Sequence, residues 1–390
     1  MATTVAVVYH FFPHYREAIV RELAHEGTCK WTFYGDTHDF DRQSDIKPMK
    51  FPQDVRFKHL KVTRIWRSLM WQHGVVRLAA SRDCDVLILL GDAKYPSMWA
   101  AAIAARLTGK RVLFWTHGWT YRPHGLMRYV RRYFYRIAHG IMTYGRWAKQ
   151  IAIEEGFEPS QVYVIGNSLD LTQQRKALQQ LPAGRPAAVR EELFADSNTP
   201  IVTCISRLTA VRRLDLLLRA VAKLNSEGTS ANVMLIGDGP ERPKLEALAQ
   251  ELGVRVAFVG ACYDELRICE LMRASNVTVA PGKVGLTAMH SMAYGIPVVT
   301  HGDHENQMPE FEAVIPGKTG SLFQLGDIDS LAAAISPWLR SPYADTNTSE
   351  QCQLIIERFW SATFQREAIM RAVNGDPAND LLFPKGVNKR

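Results

Sequence analysis

The chain alternates short apolar runs with longer segments in which apolar positions recur every three or four residues. The runs are rich in β-branched and aromatic side chains, which is typical of strands buried on both faces. The segments between them have the period of amphipathic helices. The first half therefore predicts a parallel sheet with strands at residues 4–11, 84–91, 111–118, 140–145 and 162–167.

A second round of the same alternation begins near residue 201. Between the two rounds, the polar stretch 171–200 contains Pro and Ala and predicts a linker with one short helix. Two doubly wound α/β domains facing a cleft follow from this pattern, with ligands expected at the carboxyl ends of the strands. The second set of strands is expected at residues 201–208, 232–240, 254–260, 276–281 and 296–301, with a helix at 286–294.

Composition narrows the class of protein. With 390 residues, of which 47% are hydrophobic and 22% charged, the chain is globular and long enough for two domains. It has no apolar window long enough to span a membrane and no signal-peptide pattern at its start, so we expect a cytoplasmic protein. Its six cysteines form no CxxC pair, and we expect reduced, mostly buried thiols rather than disulfides or metal ligands.

Positive charge is concentrated in the first half. Residues 1–170 hold 24 Lys and Arg against 15 Asp and Glu, a net charge of +9, whereas the remainder has a net charge of −1. Within that half, stretches 63–78 and 126–140 mix Arg with Trp, Tyr and Leu at helical spacing. These are either ordinary amphipathic core helices or a peripheral contact with an anionic membrane surface. No nucleic-acid-binding module is recognisable, so we expect no nucleic-acid partner.

Basic side chains follow the strand at residues 201–208. Arg207 comes near its end, and Arg212 and Arg213 precede the next helix. Guanidinium groups are permanently charged and bind phosphate oxygens through paired donors, so this position suits a pyrophosphate. The alternative is a set of solvated surface arginines.

Two glycine-containing turns follow other strands of the second half. One contains Gly237 and Asp238, which alone predict only a turn. The other permits close approach of the backbone and then begins a helix, where free amides favour phosphate. Its candidate donor-binding residues are Lys283, Gly285, Leu286 and Thr287. Three strand ends with anion-binding chemistry predict a nucleoside diphosphate site.

The order of SRLTAVRRLDLLLRAV, LIGDGPERPKLEALAQELGV, PGKVGLTAMHSMAYGIPVVTH and MPEFEAVIPGKTGSLFQLGD resembles the donor half of family 4 glycosyltransferases. The likeness covers roughly residues 85–370. It implies the GT-B fold and transfer of a sugar from a nucleotide diphosphate with retention of anomeric configuration. It also implies that Arg207 and Arg212 hold the pyrophosphate and that Glu310 lies at the donor site.

The resemblance implies an acceptor-binding domain at residues 1–175 and a donor-binding domain at 176–365. A helix at 357–373 would cross back to the first domain, and residues 374–390 look like a tail. Most members carry two glutamates in the donor loop. Here Gly282 and His290 occupy those positions, so His290 is expected to face the ribose, unless it is simply a histidine hydrogen-bonded in the core.

The first half supplies the remaining candidates. His117 follows a buried strand, and by the resemblance it lines the cleft beside the donor sugar as a catalytic group. It could instead be a core histidine. The candidate acceptor-binding residues follow the first and second of the expected strands. They are His14, Tyr15, Arg16, Asp92, Lys94 and Tyr95.

The sequence therefore predicts a glycosyltransferase that uses a UDP- or GDP-linked sugar and a glycan or lipid-linked acceptor, in bacterial surface polysaccharide assembly. Two alternatives remain: a nucleotide-sugar epimerase and an inactive nucleotide-sugar-binding protein. We expect no metal, because arginines and a helix terminus take its place. The DFD sequence at residues 39–41 lies outside the donor half. Asp92 would be the general base if the reaction were inverting.

Overall fold

The computed structural model describes residues 2–38, 47–122, 124–340 and 345–378. The DFD sequence at 39–41 and most of the expected tail lie outside the described residues. The chain folds as two compact units. Unit 1 contains residues up to Asp170 and the segment that begins at Ser361, and unit 2 is Leu171–Trp360.

Unit 1 is an α/β unit whose sheet strands are joined mostly through helices. Its elements are β1 Thr3–Phe11, α1 Glu17–Ala24, β2 Cys29–Asp36, β3 Phe57–His59, β4 Val62–Trp66, β5 Leu69–Gln72, α2 Val75–Ala80, β6 Val86–Leu90, α3 Pro96–Leu107, β7 Arg111–Thr116, α4 Gly125–Arg136, β8 Gly140–Thr143, α5 Arg146–Glu154 and β9 Val162–Val164.

The unit 1 sheet has seven parallel strands in the order β3-β2-β1-β6-β7-β8-β9. The central strands β1, β6 and β7 consist largely of Val, Leu, Ile and aromatic residues that are buried, as expected for strands covered on both faces. The order of the strands reverses between β1 and β6. The loops after these two strands therefore diverge at a switch point, where open α/β sheets bind ligands.

Unit 2 repeats this architecture with six parallel strands in the order β12-β11-β10-β13-β14-β15. Its switch point lies between β10 and β13. Its elements are α6 Leu171–Gln180, α7 Arg185–Phe194, β10 Ile201–Ile205, α8 Leu214–Ser226, β11 Asn232–Ile236, α9 Arg242–Leu252, β12 Val256–Gly260, α10 Glu265–Arg273, β13 Val277–Ala280, α11 Leu286–Ala293, β14 Val298–His301, β15 Gly320–Phe323, α12 Ile328–Ile335 and α13 Thr346–Phe359.

Two hydrophobic clusters hold unit 2 together, one on each side of the sheet. One cluster contains apolar residues of α8, α9 and α12, and the other contains residues of α6, α7 and α10. The predicted α/β class with two doubly wound parallel sheets is thus confirmed. Helix α10 begins at a capped end, because the side chain of Asp264 accepts from the amide of Arg267 at 2.7 Å. This cap fixes the position of Glu265, the first residue of α10.

Two local expectations were wrong. Residues 63–78, expected to be helical, contain the antiparallel β4–β5 hairpin and the start of α2. The stretch 171–200, expected to be a linker with one short helix, forms both α6 and α7 and contributes buried residues to unit 2.

The last described helix, α14 Ala362–Asn374, belongs to unit 1. Its buried residues Ala368, Ile369, Ala372 and Val373 join the core of that unit. Within the described residues, no helix has both the length and the apolar content needed to cross a bilayer. All six cysteines are free thiols, and four of them are buried.

Candidate functional site

Three strand-end loops of unit 2 contact one another at the switch point of the six-stranded sheet. The loop after β10 meets the loop after β11, because the amide of Leu208 donates to the carbonyl of Asp238 at 3.0 Å. It also meets the loop after β13, because the amide of Gly282 donates to the carbonyl of Arg212 at 3.1 Å. The structure thus brings together the three segments that sequence reasoning assigned to anion binding.

Gly282 is required by this close approach. A Cβ atom at position 282 would lie 2.1 Å from the carbonyl oxygen of Val211, which is far inside contact distance. The approach lets Nη1 of Arg212 donate to the carbonyl of Lys283. Arg213 has a different role, because its guanidinium pairs with Asp215 at 3.0 Å. Arg212 and the backbone of Lys283 therefore form one connected surface, whereas Arg213 is engaged elsewhere.

The loop after β13, residues 281–285 and called the donor loop below, is held in place from two sides. The side-chain oxygen of Gln307 accepts from the amide of Val284 at 2.8 Å, and its Nε2 donates to Oγ1 of Thr300 at 2.8 Å. The hydroxyl of Thr287 donates to the carbonyl of Ile205 at 2.9 Å. Gly285 has a φ of +53° and caps α11, so the amides of the first turn lie at a helix N-terminus. Such an end favours negatively charged ligands.

His290, one turn into α11, is bonded to a carboxylate from a different helix. Its Nε2 lies 2.9 Å from Oε1 of Glu265, and the same oxygen accepts from Nε2 of Gln174 at 2.9 Å and from the hydroxyl of Tyr294. Burial alone would raise the pKa of Glu265, but the hydrogen bonds from His290, Tyr294 and Gln174 lower it. Glu265 is therefore ionised at neutral pH.

The remaining donor-site candidates differ in exposure. Arg207, Asp238 and Lys283 are exposed at the ends of their strands. Glu310 is buried, with only 3% of its surface accessible, in the short helical segment Pro309–Ala313. Its carboxylate is thus not displayed on the surface as the loop residues are.

Unit 1 encloses Arg16 in an aromatic cage. The guanidinium carbon lies 4.3 Å from the ring centroid of Tyr9 and 4.9 Å from that of Trp115, and Nη2 donates to the hydroxyls of Tyr9 and Tyr144. Within the described residues, Nε and Nη1 have no hydrogen-bond partner. Arg16, a candidate acceptor-binding residue, is only 6% exposed and is thus almost fully enclosed.

His117 follows β7 and lies beside this cage. Its ring centroid is 4.7 Å from that of Tyr144. Loss of surrounding water at the ring and the positive charge of Arg16 lower the pKa of His117 to about 4, although the residue as a whole is exposed. His117 is therefore a neutral imidazole at physiological pH, able to accept through one nitrogen and donate through the other.

The other acceptor candidates follow β1 and β6 on either side of the unit 1 switch point. His14 and Lys94 are exposed, Tyr15 is half-buried, and Tyr95 is 8% exposed. Oδ1 of Asp92 accepts from the amide of Lys94 at 3.0 Å, so this carboxylate shapes its own turn.

Two residues of the candidate site escaped sequence reasoning. Glu265 lies 25 residues before His290, and no local sequence pattern connects the two. The one signal that could have led to Glu265 was the presence of a histidine where the resembled family has a glutamate. Gln307 lies just ahead of the MPE motif and showed no chemistry of its own. In the described part of the chain, no group of three His, Cys, Asp or Glu side chains could hold a metal ion.

Two protein-family models match the chain. The model described as Glycosyltransferase Family 4 matches residues 17–173, and the model described as Glycosyl transferases group 1 matches residues 187–354. Together they span the strand-end loops of both units except the loop after β1, which precedes residue 17.

Individual proteins with a similar sequence are also glycosyltransferases. The chain is 24% identical to the GDP-mannose-dependent alpha-(1-6)-phosphatidylinositol monomannoside mannosyltransferase of Mycolicibacterium smegmatis, over 84% of this chain and 85% of that protein. It is 30% identical to a D-inositol 3-phosphate glycosyltransferase of Rhodococcus opacus, but this match covers 50% of the chain and 43% of that relative.

Solved structures show the same fold. The Anabaena protein HepE in complex with UDP superposes with a TM-score of 0.69 at 17% identity, covering 96% of this chain and all of that one. The parallel sheets of both units, the order of the sequence motifs and the two family models all indicate the same family. The chain belongs to the GT-B glycosyltransferases that resemble family 4.

Proposed function

We propose that this glycosyltransferase takes its sugar from a nucleoside diphosphate donor held by unit 2. The observation that carries the proposal is the joining of three strand-end loops: Leu208 and Asp238 connect the loops after β10 and β11, and Arg212 connects the loop after β10 to Gly282 and Lys283 of the loop after β13. Arg207, Arg212 and Lys283 supply positive charge, and the N-terminus of α11 supplies backbone donors. Such groups together suit the two phosphates of a nucleotide sugar. Because these cations neutralise the diphosphate, transfer should not need a divalent metal.

The donor site is tested by removing its arginines. Arg207→Ala and Arg212→Ala should each lower turnover by about a hundredfold or more, because a positively charged group that stabilises the departing phosphate is lost. Turnover is measured with labelled UDP- and GDP-sugars and a lipid-linked acceptor. Arg219→Ala is the matched control, since this exposed arginine lies on α8 away from the loops. Near-normal turnover in both site variants would refute the assignment.

Either nucleotide is compatible with the proposal. One relative is named as GDP-mannose-dependent, whereas the solved HepE structure holds UDP. Thermal-shift measurements with UDP, GDP and their sugars, followed by mass spectrometry of the products, identify the donor. An assay without acceptor separates transfer from epimerisation of the donor.

Unit 1 is proposed to bind the acceptor, a glycan or lipid-linked sugar used in bacterial surface polysaccharide assembly. Neutral His117 would hydrogen-bond a hydroxyl or phosphate of the reacting substrates. Retention of anomeric configuration is proposed from the resemblance to family 4, with the departing phosphate accepting the proton of the acceptor hydroxyl. The anomeric coupling constant in the proton spectrum of the product tests this outcome directly.

A further inference from the structure

The side chains of Glu265 and His290 form a partly exposed pair close to the start of α11. The side chain of Glu265 is 24% exposed and that of His290 is 22% exposed, so both reach solvent. Hydrogen bonds from Tyr294 and Gln174 hold Glu265 in place. His290 follows Leu286 by four residues and therefore lies on the same face of the helix as the first helical amide. The pair is thus one helical turn from the backbone donors proposed for the diphosphate.

The carboxylate of Glu265 has one engaged oxygen and one that faces outward. Every hydrogen bond found to this side chain among the described residues ends on Oε1, which accepts from His290, Tyr294 and Gln174. Tyr294 is fully buried, so the orientation of the carboxylate is fixed by the core of unit 2. Oε2 retains its lone pairs for a donor outside the protein.

The pair offers complementary chemistry to a diol. An ionised carboxylate only accepts, so Nε2 of His290 carries a proton and donates to Glu265, and Nδ1 is the ring nitrogen left for a second hydroxyl. Two neighbouring hydroxyls can each donate, one to Oε2 and one to the imidazole. We propose that Glu265, acting with His290, binds the vicinal hydroxyls of the donor nucleoside and is a specificity-determining residue of the transferase.

This inference rests on the proposed function, because it takes the diphosphate of that nucleoside to lie at the loops of unit 2. It explains why α11 carries a histidine: the carboxylate comes from α10 instead. It also predicts a preference for ribose over deoxyribose, which phosphate contacts alone cannot produce.

The test compares UDP and GDP with their 2′-deoxy and 2′,3′-dideoxy forms by isothermal titration calorimetry. Wild type should bind the preferred ribonucleotide about ten- to a hundredfold more tightly than its deoxy form, as for a hydrogen bond to a charged group. Glu265→Gln should reduce this ratio to about twofold or less while leaving affinity for the deoxy form nearly unchanged. Because the readout is a ratio within one variant, partial loss of folded protein does not imitate it.

Two further variants sharpen the result. Glu270→Gln is the matched control, since Glu270 lies on the same helix but pairs with Arg185 and Arg267, each at 2.8 Å. It should retain the ribose preference. Relocating the carboxylate in the double variant Glu265→Gln, His290→Glu should restore at least part of the preference lost in the single variant.

The outcomes separate the two proposals. Binding of neither UDP nor GDP, in ribose or deoxyribose form, by wild type would overturn the proposed donor. Tight binding of UDP or GDP with equal affinity for the deoxy form, or an unchanged ratio in Glu265→Gln, would overturn the role of Glu265 and leave the diphosphate site standing.

Discussion

At the scale of single residues, the charge of Arg16 and the protonation of His117 are linked. Arg16 has three aromatic rings around its guanidinium and donates to two phenol hydroxyls, so its charge is held at a fixed place beside β7. The pKa of His117 falls from 6.5 to about 4 through desolvation and this charge. Between those pH values the unfolded chain binds a proton that the folded chain does not, so His117 lowers stability as the pH falls through this window.

We therefore predict that Arg16→Met raises the pKa of His117 towards its ordinary value, because the methionine fills the cage without a charge. The measurement is a pH titration of the histidine ring signals by nuclear magnetic resonance. Arg21→Met is the control, since Arg21 is exposed on α1 and pairs with Glu17. An unchanged titration of His117 in Arg16→Met would show that Arg16 does not set its protonation.

Sequence reasoning located these residues but not their environments. His117 and Arg16 were found because each follows a strand of β-branched and aromatic residues, and the carboxyl ends of such strands meet at one edge of a sheet. The burial of Arg16 was not predictable, because it depends on Tyr144, which is 128 residues away along the chain. Glu265 was missed for the same reason: its contact with His290 exists only after α10 and α11 have packed on the sheet.

At the scale of elements, the donor loop and the short helical segment Ala210–Arg212 approach too closely for any side chain at position 282. We predict that Gly282→Ala forces the two apart. Such overpacking costs about 1–3 kcal/mol of unfolding free energy, and it should also weaken nucleoside diphosphate binding. Both quantities are measured, by urea denaturation and by calorimetry.

Gly302→Ala provides the comparison for this variant. A Cβ atom at position 302 would meet Leu322 at 3.6 Å, an ordinary contact, and the residue follows a neighbouring strand of the same sheet. The free energy of unfolding of Gly302→Ala should stay within about 0.5 kcal/mol of that of wild type. If Gly282→Ala bound nucleotide as tightly as Gly302→Ala, the close approach would not matter for the donor.

The sequence predicted correctly those elements whose own pattern of apolar residues is sufficient to distinguish a strand from a helix. The continuous apolar strands and the regular helices of both sheets fall in this class. The β4–β5 hairpin does not belong to this class, because its mixture of Arg and aromatic residues suits a helix and an exposed ribbon equally. Only the pairing of the two strands, which begins with Val62 opposite Gln72, decides between the two structures. The sequence predicted one short helix where α6 and α7 lie, because most residues of these helices are polar and only a few are buried in the core of unit 2.

At the scale of the whole molecule, the excess of positive charge and the exposed apolar side chains of α4 occur on the same unit. Residues 1–170 carry the net charge of +9. Helix α4 exposes Leu126 at 78%, Met127 at 60% and Tyr133 at 63%, together with Arg136. Apolar side chains flanked by arginine suit the interface of an anionic bilayer, where each basic residue near the surface contributes about 1 kcal/mol. We propose that unit 1 docks there to reach a lipid-linked acceptor.

This docking predicts binding to vesicles of phosphatidylglycerol and phosphatidylethanolamine that weakens as salt rises, because the attraction between charges is screened. The double variant Leu126→Ser, Met127→Ser should lower the affinity by about tenfold or more, since burial of two large apolar side chains in the bilayer is lost. Sedimentation with the vesicles measures both effects. Tyr263→Ser is the control, because Tyr263 is 89% exposed but belongs to unit 2. Equal binding by the double variant and the control, or binding to uncharged phosphatidylcholine at the same strength, would show that neither α4 nor the basic charge of unit 1 brings the enzyme to a membrane.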